Sequence, residues 1–181
     1  MQLIGDLAKR RNVAHRQFQD DEAFYRDIEN RIKRHRCFTH HTQMENSALM
    51  QLFRQSDAGL LPTWQETYGF SVLEMQANGC PVITSNVRAL PEINPDSAGW
   101  VLASPLNADR EYSITSTEQK TQLRQSLVEG LKSTLLAIIE RPEMLQEKGE
   151  AAILRIKEQH DTGRYIARLN DIYRRGVVNA T

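Results

Sequence analysis

The chain has 181 residues, 40% of them apolar, which is enough for one substantial core and too few for two full-sized domains. Lysine plus arginine equals aspartate plus glutamate at 23 each, so the overall charge gives no argument for nucleic acid or an anionic membrane as partner. No apolar run approaches eighteen residues and the start shows no charged, apolar, small-residue signal pattern, so a soluble, cytoplasmic protein is expected, without membrane contact from this part.

In chain order, residues 1–4 are an apolar run stopped by Gly5-Asp6, which reads as a strand running into a loop. Residues 12–21 are polar and irregular. Ala23, Phe24, Ile28 and Ile32 then recur at helical spacing, and the basic cluster over residues 31–36 suits the negative end of that helix as a solvated face. Residues 37–39 read as the next strand, with His40-His41 in the loop beyond it, as plain loop residues or as a stacking surface for a base. Adjacent histidines project apart and no carboxylate stands at a ligand spacing, so no metal site is expected. Cys37 and Cys80 lie in or beside apolar strand-like runs and read as free thiols in the core. Leu49, Met50, Leu52 and Phe53 give residues 44–55 the broad apolar stripe of a packing helix.

Residues 57–92 alternate strand, loop, helix, strand and loop, and the rest of the chain is organised around them. Residues 58–61, stopped by Pro62, and residues 81–84 are short apolar runs of the kind found in buried parallel sheets. Between them Ser71 is a good N-cap, Val72, Leu73 and Ala77 are apolar at roughly helical spacing, and Asn78-Gly79 supplies a left-handed stop. In such a βαβ unit ligands bind beyond the carboxyl ends of the strands, here at the loop over residues 63–70. Gly69 lets the backbone approach a ligand, and the free amides of Phe70, Ser71 and Val72 would meet an anion at the positive end of the helix. Glu66 and Glu74 flank those amides. A carboxylate accepts hydrogen bonds only, which suits it to a vicinal diol of a sugar. Ser71-x-x-Glu74 is also a capping box, in which Glu74 only returns a bond to the Ser71 amide, and both readings stand on the residues alone.

Beyond Glu92, residues 94–99 are a turn cluster and residues 100–102 a last strand. Residues 104–117 are polar and aperiodic, a candidate mobile surface loop. Residues 118–175 read as helices covering the sheet: Leu123, Leu127, Leu131, Leu135 and Ile138 on one that ends before Pro142, a second over residues 144–159, and a third placing Tyr165, Ile166, Leu169, Ile172 and Tyr173 on one side.

The wording ETYGFSVLEMQANGCPVI resembles the Glu, seven residues, Glu motif of the family-4 retaining glycosyltransferases with the GT-B fold. Tyr68, Gly69, Asn78-Gly79 and Pro81 fill the positions that the family pattern gives to an aromatic, glycines and a proline, and the similarity continues through Leu90-Pro91-Glu92-Ile93 and Ala98-Gly99-Trp100-Val101. The resemblance implies an α/β fold, a Rossmann-like parallel sheet flanked by helices, as in the C-terminal, nucleotide-sugar-binding domain of such enzymes, in a single domain over residues 1–181. It implies that Glu74 holds the ribose of a UDP- or GDP-sugar donor, that Glu66 contacts the transferred sugar as the catalytic residue, and that the backbone about Tyr68, Gly69, Phe70 and Ser71 meets the diphosphate. No further cofactor is implied.

Two departures from the pattern stand out. The family has Gly-Gly where this chain has Arg88-Ala89, which leaves Arg88 as a phosphate ligand or a solvated loop residue. The similarity also begins with what would be the second strand, so the first strand and helix of the domain, and the acceptor-binding domain before them, are expected to be missing. The chain then reads as the C-terminal part of a glycosyltransferase: a truncated product, an excised piece or one half of a split enzyme, inactive by itself and paired with an acceptor-domain chain or with copies of itself. The alternative is a non-catalytic nucleotide-binding or interaction module derived from such an enzyme.

Overall fold

The computed structural model describes residues 1–7 and 13–178, together with the side chains of all of these except Val13 and residues 176–178. Of the polar segment expected over residues 12–21, Asn12 lies outside the described residues.

Among the described residues, five short strands and seven α-helices follow one another as β1 (Gln2–Ile4), α1 (Glu22–Arg34), β2 (Thr39–His41), α2 (Asn46–Gln55), β3 (Gly59–Leu61), α3 (Phe70–Ala77), β4 (Val82–Ser85), α4 (Leu90–Ile93), β5 (Gly99–Leu102), α5 (Thr117–Glu140), α6 (Glu143–Gln159) and α7 (Thr162–Val178). All pairings are parallel, as the strand–helix alternation requires. The sheet is divided in two: β1 pairs with β2, and β3, β4 and β5 form a separate three-stranded sheet with β4 in the middle. A doubly wound sheet runs 3-2-1-4-5-6, with its first strand central. Here β1 and β2 pair only with each other among the described strands, and β3, β4 and β5 are hydrogen-bonded separately.

Burial follows this division. Val82, Ile83, Thr84 and Ser85 of β4 are all buried, and two apolar clusters form on the three-stranded sheet. One joins Phe53, Val72, Met75, Cys80, Val82, Leu90, Ile93 and Tyr112; the other joins Ile83, Trp100, Leu102, Leu127 and Ile138. The alternation along β4 sends Val82 to one cluster and Ile83 to the other, so this strand is covered on both faces. In β1 and β2, by contrast, every residue is exposed or half-buried.

Several expectations are corrected. Cys80 is buried but Cys37, at the exposed entry to β2, is not in the core. His40 and His41 belong to β2 rather than to a loop: they are in register with Leu3 and Ile4, and His40 Nε2 bonds Gly5 O at 2.7 Å while His41 Nε2 bonds Gln2 Oε1 at 2.9 Å. The segment before α5 is not a free loop. Ser104, Tyr112 and Ile114 are buried, and Tyr112 Oη donates to Asn86 Oδ1 at 3.2 Å, so alternate side chains tether it although the segment as a whole is polar. Finally α5 and α6 cover the sheet, but α7 does not: Tyr165, Ile166, Ile172 and Tyr173 are more than half exposed.

Candidate functional site

The site is assembled from the loops that leave the carboxyl ends of β3 and β4. After β3 the chain turns at Thr63, whose hydroxyl donates to Gln65 O at 2.7 Å. Ser85 at the end of β4 donates to Thr63 O at 2.5 Å, which ties the two loops together. Trp64 is half-buried, packs against both apolar clusters, and meets His15 with ring centroids 4.3 Å apart.

Gly69 is the N-cap of α3, with φ 93° and ψ 49°, a left-handed conformation that strains any residue with a Cβ. A Cβ there would also lie 2.8 Å from Leu90 Cδ2 and 2.9 Å from Ile93 Cδ1, so α4 forms the floor beneath this turn. Because the helix starts at Phe70, Ser71 is its second residue rather than its cap. No side chain caps α3, and the Ser71–Glu74 capping box is not made. The Val72 amide is not free either: it donates to Gly69 O at 2.9 Å. The amides of Gly69, Phe70 and Ser71 have no acceptor among the described residues, which leaves a run of unsatisfied donors at the positive end of the helix.

Glu66 and Glu74 come before and after that run in the chain. Glu66 is half-buried in the loop, where its Oε1 accepts from the Thr67 amide at 2.8 Å. Glu74 lies in the second turn of α3 rather than the first, one turn above Phe70 on the exposed face, and its carboxylate has no hydrogen-bond or ion-pair partner among the described residues. Tyr68 and Phe70 are exposed, with ring centroids 5.2 Å apart. The loop carrying Glu66 and Tyr68, the row of free amides, the exposed Phe70 ring and the unpaired Glu74 thus follow one another about a single helix start.

Sequence reasoning missed the polar frame behind this turn. The buried Asn94 donates to Val82 O at 2.9 Å, Thr84 Oγ1 at 3.1 Å and Trp100 O at 3.1 Å, so one side chain joins β4 to β5. Gln76, buried on α3, donates to Asn94 Oδ1 and Ile93 O, both at 3.0 Å. Arg155 of α6 donates to Glu92 O at 2.9 Å; burial lowers its pKa, and the nearby Tyr68 opposes that. The only signal was a pair of amide side chains at positions that periodicity assigns to apolar faces. Arg88 lies beyond β4 with φ 47° and is paired with Glu111. Among the described residues no group of three or more His, Cys, Asp or Glu side chains converges as metal ligands would.

A parallel α/β unit with an open helix start at the carboxyl edge of its sheet belongs to the class of domain in which ligands bind, where they bind, in that crevice. The glycosyl transferases group 1 family model matches residues 18–134, more than half of the chain, and the chain belongs to that family. It is 25% identical over 118 residues to a glycogen synthase of Mycobacterium tuberculosis, covering 65% of this chain and 24% of that one. It is 32% identical over 71 residues to an uncharacterized 41.2 kDa protein in the cps region of Klebsiella pneumoniae, covering 39% of this chain and 20% of that one. The chain thus spans a quarter or less of the length of these relatives.

Among solved structures, sucrose-phosphate synthase from Thermosynechococcus elongatus superposes with a TM-score of 0.65 at 19% identity, over 99% of this chain and 39% of the other. The C-terminal domain of a glycosyl transferase group 1 family protein from Francisella tularensis superposes with a TM-score of 0.53 at 16% identity, over 78% of this chain and 65% of the other. The fold is that of the GT-B glycosyltransferases.

Proposed function

We propose that the chain is the donor-binding part of a glycosyltransferase that moves a sugar from a UDP- or GDP-sugar to an acceptor with retention at the anomeric carbon. The observation that carries this reading is the row of free amides at Gly69, Phe70 and Ser71 with the unpaired Glu74 carboxylate one turn above and Glu66 in the loop below. Glu74 accepts from the ribose hydroxyls, Glu66 faces the transferred sugar, and the amides meet the diphosphate. Charge gathers on the diphosphate as its bond to the sugar breaks, and donors held ready at that place lower the barrier. In this reading amides, rather than a bound metal ion or other cofactor, meet the leaving group. The names of the glycogen synthase and sucrose-phosphate synthase relatives support sugar transfer.

Transfer also needs an acceptor held against the donor, and positioning of that kind contributes a large share of catalysis. The reading therefore assigns acceptor binding to a further domain or a second copy of the chain, and slow or no turnover to the 181 residues alone. Among the described residues no helix is long and apolar enough to cross a membrane, and the reading places the protein in the cytoplasm.

Calorimetric titration with UDP- and GDP-sugars tests this reading. Because Glu74 caps nothing, both Glu74→Gln and Glu74→Ala are expected to keep the wild-type melting temperature while lowering nucleotide affinity by about tenfold or more, the worth of one charge-assisted hydrogen bond. Wild-type affinity in both variants would remove Glu74 from the site.

A further inference from the structure

The loop after β4 carries a side chain that the function above does not use. Arg88 adopts φ 47°, a conformation natural to glycine, yet it bears a long cation. Backbone strain of this kind persists where the surroundings hold it, and it concentrates at ligand clamps. Here the surroundings are the turn over residues 107–111. The Arg88 amide donates to Arg110 O at 2.9 Å, and its guanidinium donates through both Nε, at 2.7 Å, and Nη2 to Glu111 Oε1. Arg88 lies two residues before Leu90, whose side chain forms the floor under Gly69, so its backbone is within about 7 Å of Leu90 along the chain. The pair is open to solvent, with 42% of the Arg88 side chain and 30% of the Glu111 side chain exposed.

The turn does not depend on this pair. It is closed by Asn107, whose amide donates to Glu111 O at 2.9 Å and whose side chain accepts from the Asp109 and Glu111 amides. It is anchored by Tyr112 on Asn86, and Asn86 in turn donates to Ser104 O at 2.8 Å. A guanidinium fork binds carboxylate and phosphate with the same geometry. We propose that Arg88 is an anion ligand of this site, held on the Glu111 carboxylate as the structure shows it, and that it exchanges Glu111 for a phosphate of the nucleoside diphosphate when the donor binds. The exchange rests on the nucleotide-sugar reading above for its ligand, and on the local geometry alone for its anion.

The test is calorimetric titration of the 181-residue chain with inorganic pyrophosphate, UDP and GDP, with melting temperatures measured alongside. Arg88→Ala is expected to bind all three at least about tenfold more weakly. Glu111→Gln, which removes the competing carboxylate, is expected to bind them more tightly. The charge swap Arg88→Glu with Glu111→Arg is expected to recover the wild-type melting temperature, since the pair is restored, yet to bind as weakly as Arg88→Ala. If Arg88→Ala binds UDP or GDP like the wild type while melting earlier, Arg88 is a structural strut and the nucleotide reading survives without it. Binding of pyrophosphate that depends on Arg88, without binding of UDP or GDP, would keep the anion site and overturn the nucleotide reading. Failure of all three ligands to bind the wild type overturns both.

Discussion

Among the described residues the Glu74 carboxylate stands on α3 without a donor, whereas the buried Lys120 is paired with Asp20. His15 is 4% exposed and neither of its ring nitrogens has a hydrogen-bond partner among the described residues. Burial holds its pKa below the usual histidine value, with Asp20 opposing and Lys120 and Arg124 reinforcing the shift; His160 is lowered in the same way, by burial and then by Arg155. An unfolded histidine titrates near about 6.5, so between that value and the lower folded pKa the unfolded chain binds more protons and stability falls with falling pH. Above about pH 6.5 the full stability is present. The melting temperature is therefore expected to be lower at pH 5.5 than at pH 7.5, and His15→Phe is expected to flatten the slope; a slope unchanged in that variant would show that His15 is hydrated. Asp20 acts in a separate, more acidic window. Burial pushes its carboxyl up, but hydrogen bonds from Lys120 and Arg124 outweigh this and hold it below the usual range, so its contribution is lost only as pH falls below about 4. That Glu66, Gly69 and Glu74 lie about one helix start was legible from spacing, whereas the contact between the Tyr68 and Phe70 rings was not. The cap was not: Ser71 and Gly69 are both acceptable caps, and only the left-handed turn packed on Leu90 and Ile93 decides for Gly69.

At the scale of elements, the helix–turn unit at the centre of the chain depends on a polar frame rather than on apolar packing alone. Asn94→Leu would leave Val82 O, Thr84 Oγ1, Trp100 O and the Gln76 amide short of a partner in the core, at about 1–3 kcal/mol for each group that stays unsatisfied. We expect a loss of roughly 3 kcal/mol or more, seen as a melting temperature lower by roughly 6 °C or more. A shift of under about 2 °C would mean that the frame relaxes or hydrates at little cost. The frame was invisible in the sequence because Gln76 and Asn94 interrupt apolar periodicity without announcing that they face each other. The short helix α4 was missed for a related reason: four residues give no period to read, and α4 exists because its first and last side chains fill the floor under Gly69. The segment before α5 was read from its average polarity, whereas its structure comes from the buried Tyr112 and Ile114. α7 is the opposite case. Its periodicity gave the helix correctly, but pattern says only which face is apolar and not what covers it. Deletion of residues 162–181 is expected to lower the melting temperature by less than about 4 °C, because no described α7 side chain is fully buried; a much larger loss would place that helix in the core.

For the molecule as a whole, strand–helix alternation and short apolar runs were enough to give a parallel α/β fold, and the family match and structural neighbours agree. The division between the β1–β2 and β3–β5 sheets was not legible, since a sheet's hydrogen-bond ladder is a non-local property and short runs such as QLI and THH carry no register of their own. The strands of the β1–β2 sheet are exposed or half-buried, while the β3–β5 sheet carries the apolar clusters and the candidate site. The central claim is that a nucleoside diphosphate lies on the free amides between Glu66 and Glu74. It is tested most directly by following the backbone amide resonances of the isotopically labelled chain as UDP or GDP is added. The account predicts that Gly69, Phe70 and Ser71 show the largest shifts and saturate together, with Val72, already bonded to Gly69, moving less. Saturable shifts centred elsewhere on the molecule, with those three amides unmoved, would contradict it.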